Sequence, residues 1–169
     1  ALREFVPRPG LFGTALGLGR AFKPLLPRVL SAKVSPGRAA GVWPAPRHDR
    51  RMLVLAGCVQ PAMRPSINAA TARVLDALGI SLIEAAGAGC CGAVRFHLRV
   101  HDGGRADARR NIDAWWPVIE AGRVEAIVVT ASGCGVQVKD YAHLLKEDPA
   151  YAAKAARVTA LARDPRSEE

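Results

Sequence analysis

Residues 125–135, EAIVVTASGCG, decide the fold. Glu125 to Thr130 is a short run rich in β-branched side chains, which reads as a buried strand, and the glycines around Cys134 then supply turn chemistry. Beyond them Val138, Tyr141, Ala142 and Leu145 recur at helical spacing. A strand, a glycine loop and a helix therefore follow one another within about twenty residues.

Working outward, the same order recurs twice upstream. Met52 to Ala56 (MLVLA) is wholly apolar, as expected of a strand covered on both faces, and it ends at Gly57 and Cys58. After Pro61 and Pro65, Ser66 is placed to cap a helix whose apolar positions are Ile67, Ala70, Val74, Leu75 and Leu78, with Gly79 as its stop. Ser81 to Glu84 (SLIE) gives another strand, which runs into Gly87-Ala88-Gly89-Cys90-Cys91-Gly92. From Arg105 to Ala121, Ile112, Trp115, Trp116 and Ile119 predict a helix, bent or restarted at Pro117. Adjacent helical residues point about 100° apart, so one indole should face the sheet and the other should point outward. Asp148-Pro149 fits the start of a last helix, ending near Leu161. Strands alternating with helices predict the α/β class, a three-layer Rossmann-like parallel sheet.

All four cysteines, Cys58, Cys90, Cys91 and Cys134, follow a predicted strand. In a parallel sheet the carboxyl ends of the strands share one edge, which is where open α/β folds place their ligands. The thiols should therefore converge on one crevice. Four chemistries fit four thiols. Disulfides are one, although a bridge between the neighbours Cys90 and Cys91 is strained. Zinc is another, although the paired C-x-x-C knuckles of structural zinc sites are missing. A catalytic thiol is a third, with Cys90 or Cys134 as nucleophile and His97 or His143 as base. An iron-sulfur cluster is the fourth, because adjacent cysteines can serve different irons and the flanking glycines leave backbone amides near the sulfides.

The 169 residues, half of them apolar, bound the chain at one small to medium domain. No run of eighteen uncharged apolar residues is present, so a helical membrane span is not expected. Charge is uneven: residues 1–51 hold 10 basic and 2 acidic side chains, against 14 and 13 in the remainder. Seven of the twelve prolines also precede residue 52. Residues 1–50 thus read as a basic linker or docking arm and residues 51–169 as the folded domain. Leu11 to Leu30 could form a short amphipathic helix interrupted by Pro24, suited to a partner or a membrane surface. No nucleic-acid recognition motif accompanies the basic residues, so no specific nucleic-acid partner is expected. The chain begins at Ala1 rather than Met and reads as a piece of something longer.

The spacing C-x31-CC-x42-C resembles the CCG cysteine-rich domain of heterodisulfide reductases and related iron-sulfur oxidoreductases. The blocks GCVQPAMRPSINAATARVLDALGI, AGCCGAVRFHL, ARRNIDAWWPVIEAG, TASGCG and KDYAHLLKEDPAYAAKAARV resemble, more closely, the iron-sulfur subunits of glycolate oxidases over about residues 43–164. That resemblance implies that Cys58, Cys90, Cys91 and Cys134 are cluster ligands, most naturally of a 4Fe-4S cluster. It also implies an electron relay from a flavin-bearing partner toward quinone, with no flavin in this chain and no catalysis by the chain alone. A ferredoxin-like domain and a second CCG repeat belong to such subunits and lie outside this sequence. The implied location is cytoplasmic, peripheral at the inner membrane. One departure is plain: the wider family commonly ends in C-x-x-C, and Ala131 stands where the first of those cysteines would be. The alternative is a zinc-binding or cluster-free structural domain.

Overall fold

The computed structural model describes residues 2–164. Within them β1 (Arg50–Val54), β2 (Ile80–Glu84), β3 (Val124–Val128) and a short β4 (Ala162–Arg163) form one sheet in the order β2-β1-β3-β4. Every neighbouring pair is parallel. The strands begin one or two residues earlier than their hydrophobic runs suggest. Leu55 N–H still bonds Val128 C=O at 3.1 Å, so the β1–β3 ladder continues past its assigned end. A two-residue edge strand directly after a helix carries no periodicity, and β4 has no signal in the sequence.

Alternation along the strands loads both faces. Leu53, Leu55, Ile127 and Val129 join Ile112, Trp115, Val138, Tyr141 and Val158 in the larger core. Val54, Leu82 and Val128 face the other way, onto Ala72 and the partly buried Trp43 and Leu75. The larger core is built by α7 (His101–Glu120), α8 (Ser132–Lys139), α9 (Tyr141–Leu144) and α10 (Ala152–Leu161); the thinner layer is α5 (Ser66–Ala77). This is the three-layer α/β arrangement read from the strand and helix order.

Several local expectations are corrected. Ser66 is the first residue of α5, makes no capping bond, and follows Pro65 at the cap position. The buried face of α5 is Asn68, Ala69 and Ala72, whereas Ile67, Val74 and Leu78 are exposed. Small side chains let the helix lie close on the sheet, and that turns the larger ones outward. The Pro117 helix does not restart: α7 runs unbroken through the proline from His101, earlier than expected. Asp148-Pro149 forms a turn in which Asp148 C=O accepts from Tyr151 and Ala152, so α10 begins three residues later. Trp115 is fully buried, while Trp116 is half-buried at the core's edge with Lys154 Nζ 5.2 Å from its ring centre.

Residues before β1 are partly helical, in α1 (Leu2–Phe5), α2 (Pro9–Ala21) and α3 (Arg28–Ser31), and α2 stops short of Pro24 as expected. Several contacts fasten this region to the sheet domain. Arg20 donates to the Ala62 carbonyl at 2.9 Å. Trp43 Nε1 donates to the Leu82 carbonyl at 3.3 Å. Arg47 and His48 both bond Asp76, and their backbone N–H groups both donate to Ser81 Oγ. No helix among the described residues is long and apolar enough to cross a membrane.

Candidate cofactor site

The sheet order fixes where a site can form. From β1 the chain steps to β2 on one side and then to β3 on the other, so the loops that leave β1 and β3 diverge at a topological switch point. Cys58 lies four residues past the end of β1 and Cys134 six past the end of β3. Cys90 and Cys91 lie in the loop between β2 and α6 (Ala93–His97). Cys134 falls in the first turn of α8 rather than in the loop before it, because the helix already begins at Ser132.

These positions bring all four thiols together in an unbroken row. Electrostatic coupling runs from Cys58 to Cys90, from Cys90 to its neighbour Cys91 and from Cys91 to Cys134. Cys58, Cys90 and Cys91 are buried and Cys134 is half-buried; none is in a disulfide. Bonding to Cys90 and burial push the Cys58 thiol well up, and bonding to Cys134 and Cys90 together with burial does the same to Cys91. Cys90, receiving from Cys58, Cys91 and the Gly92 N–H, is held far below the ordinary thiol value, with Arg110 adding positive charge. Cys134 is lowered by its bond from Cys91. The four thiols therefore titrate together rather than singly.

A buried polar clamp holds the cysteine pair. The Asn111 side chain accepts from Gly89 N–H at 2.8 Å and donates to the carbonyl of Cys90 and to Tyr141 Oη, both at 2.9 Å. Tyr141 Oη in turn donates to the Cys91 carbonyl at 2.9 Å. Both side chains are wholly buried. Arg110 adds a bond to the Cys90 carbonyl at 3.2 Å. Beside it Asp107, fully buried, takes Arg95 and Arg110 on one oxygen and leaves Oδ2 without a partner among the described residues. Burial raises that carboxyl even though both arginines pull the other way. Gly92 turns the loop into α6 with φ +93°, and a Cβ there would sit 2.8 Å from the Gly104 carbonyl oxygen. Its N–H points at Cys90 Sγ, 3.5 Å away.

An apolar cleft of about 540 Å³ opens over the row, bordered by Cys58, Cys91 and Cys134 and by Met63, Ile67 and Val94. His97 and Ala131 border it too. His143, the other histidine considered as a base, lines a separate groove with Arg105 and Asp148. Among the described residues no set of three or more His, Cys, Asp or Glu side chains is arranged to hold a single metal ion. Four neighbouring sulfurs, two of them from adjacent residues, with the Gly92 N–H on Cys90 Sγ, suit a group with several metal atoms better than one tetrahedral ion.

Tyr141 lies on the apolar stripe that the helical spacing marks, but Asn111 and Asp107 escape a reading by hydrophobic pattern, since each occupies a core position with a polar side chain. Their spacing was the available signal: Asp107, Asn111 and Trp115 lie four apart on the inward stripe of α7.

The sequence pattern of a cysteine-rich domain, CCG, matches residues 52–139. The chain belongs to the CCG cysteine-rich domain family. All four site cysteines fall inside the matched CCG segment. Among curated proteins the chain is 53% identical over 165 residues to the Escherichia coli (strain K12) "Glycolate oxidase iron-sulfur subunit", covering 96% of this chain and 40% of that protein. It is 34% identical over 107 residues to the Bacillus subtilis "Probable glycolate oxidase iron-sulfur subunit", covering 63% and 23% respectively. A more distant match is "Lactate utilization protein A" of Exiguobacterium, 26% identical over 98 residues, 58% of this chain and 38% of that protein. The CCG chain therefore spans less than half the length of each of these relatives. No solved structure gives a significant match.

Proposed function

We propose that this chain is the part of a glycolate oxidase iron-sulfur subunit that holds one cluster, and that it relays electrons from a flavin-bearing partner toward quinone. The observation that carries this reading is the unbroken row Cys58–Cys90–Cys91–Cys134 at the switch point of the sheet. The relatives' names supply the oxidoreductase context. Cys58, Cys90, Cys91 and Cys134 would be the ligands, to a 4Fe-4S cluster, since Ala131 leaves four cysteines rather than five. A bound iron-sulfur cluster supplies one-electron transfer at a potential set by its charge, its exposure and the hydrogen bonds to its sulfurs.

The chain's own residues would do three things. Asn111 and Tyr141 lock the carbonyls of Cys90 and Cys91, which fixes the backbone of the cysteine pair. The Gly92 and Ala93 amides place positive dipoles on the sulfurs of Cys90 and Cys91. The apolar wall of the cleft limits water near the site. Residues 1–50 would be a connecting arm and 51–169 the cluster domain. The missing partners would be a ferredoxin-like domain, a second CCG repeat and the flavin-bearing subunits, at the cytoplasmic side of a membrane.

Anaerobic reconstitution tests the cofactor: iron and sulfide should bind with the broad visible absorbance of a cluster, and a stoichiometric zinc content in its place would favour the structural alternative. In the assembled complex, Cys90→Ser or Cys91→Ser should abolish glycolate-dependent reduction of a quinone-like acceptor and leave flavin reduction by glycolate intact. Loss of flavin reduction itself would refute the relay role.

A further inference from the structure

Beyond the row of thiols lies a second, partly buried polar assembly, built from three segments. Gln60 Nε2 donates to Asn68 Oδ1 at 2.8 Å and to Thr130 Oγ1 at 2.7 Å, and Thr130 Oγ1 donates to Asn68 Oδ1 at 2.7 Å. The triangle is chemically consistent at every corner. The amide nitrogen spends one N–H on each partner, the hydroxyl accepts one bond and donates another, and the Asn68 oxygen accepts two. Asn68 is 6% exposed, on the face of α5 where Ala69 and Ala72 meet the sheet, so a polar side chain there needs its partners.

Placement gives the triangle a purpose. Gln60 follows Cys58 by two residues, at the start of α4 (Gln60–Met63), and Thr130 precedes Cys134 by four. The β1–β3 ladder ends at the Leu55 to Val128 bond, after which the two chains separate into their loops. The Gln60–Thr130 bond ties those loops together again, two residues past Cys58 on one side and four residues before Cys134 on the other. Cys58 and Cys134 are the two ends of the row, whose middle is held by Asn111 and Tyr141. The middle of the row is therefore fixed from α7 and α9, and the loops carrying its ends are tied through Asn68 of α5.

We propose that Gln60, Asn68 and Thr130 are positioning residues that set the gap between Cys58 and Cys134 and so determine how tightly the four thiols hold a metal group. This rests on the reading of those thiols as ligands, and it is tested on the full chain with two probes so that the two ideas fail separately. Thr130→Val keeps the shape and breaks two of the three bonds, and Thr130→Ser keeps the hydroxyl. The reconstituted parent and Thr130→Ser should lose iron to a chelator at matching rates, while Thr130→Val loses it about tenfold faster, equivalent to about 1.4 kcal/mol. Cadmium added to cluster-free protein, followed by thiolate-to-metal absorbance, should show the same tenfold weakening and the same rescue by serine.

If the parent takes up no iron yet cadmium still separates Val from Ser and parent, the positioning role stands and the cluster reading falls. Equal behaviour of Val and parent with both probes overturns the positioning role. So does a Val defect that serine fails to rescue and that matches a loss of thermal stability, which would make the triangle ordinary packing. Should Thr130→Val not fold, Gln60→Met, at a half-buried position, carries the same comparison with the same outcomes.

Discussion

Replacing Asn111 by leucine tests whether the cysteine pair is held by its backbone. The change keeps volume and burial while deleting three hydrogen bonds, to Gly89 N–H, the Cys90 carbonyl and Tyr141 Oη. The consequences at the three partners differ. The Cys90 carbonyl keeps Arg110, and Tyr141 keeps its own donation to the Cys91 carbonyl. Gly89 N–H, by contrast, is stranded in a buried position. Stranding one buried donor costs about 1–3 kcal/mol, and the two weakened partners bring the expected loss to about 2–3 kcal/mol. For a domain of this size that is a fall of roughly 5–10 °C in Tm. Tyr141→Phe leaves Asn111 in place and strands the Cys91 carbonyl, for an expected loss of about 1–2 kcal/mol.

Urea unfolding of the cluster-free chain measures both variants, and the double variant should cost less than their sum because Asn111 and Tyr141 bond each other. In the reconstituted chain Asn111→Leu should also lower iron content, since the loop that carries two of the four thiols loses its anchor. An Asn111→Leu chain as stable as the parent, or strict additivity with Tyr141→Phe, would refute the clamp.

Three further outcomes follow from the same geometry. Gly92→Ala should be much worse than Gly79→Ala: both glycines have positive φ, but a Cβ at 92 meets the Gly104 carbonyl oxygen at 2.8 Å whereas at 79 it meets open space. Denaturant midpoints should show a loss near 1 kcal/mol at 79, the usual scale for a non-glycine residue in that conformation, and a clearly larger one at 92. Trp115→Ala should cost about 3–5 kcal/mol as a large core truncation, and Trp116→Ala markedly less, because only Trp115 is fully enclosed; equal losses by calorimetry would contradict the packing. Asp76 is held below the usual carboxylate range, first by its bond from Arg47 and further by His48. A lowered folded-state value means the unfolded chain binds the proton more readily. The contact therefore stabilises fully above the unfolded value of about 3.9 and is lost as pH falls through the folded one. Limited proteolysis between residues 20 and 48 should speed up below about pH 4, and Asp76→Asn should show that rapid cleavage at neutral pH already.

The class of the fold and the place of the site were legible in the chain because both follow from local signals. Short β-branched runs followed by glycine and then by helical spacing specify parallel strands, and the position of each cysteine just after a strand specifies a common edge. The run EAIVVTASGCG holds strand, turn and thiol within eleven residues. Tertiary structure decided what depends on neighbours distant in sequence. Periodicity marked Ile67, Val74 and Leu78 as the inner face of α5, yet the close approach of Ala69 and Ala72 to the sheet turned them outward. It gave no reason to single out Asn68 or Asn111, because hydrophobic pattern values a polar residue as surface. A buried amide is stable only where particular donors and acceptors meet it, and these arrive from 22, 30 and 62 residues away along the chain.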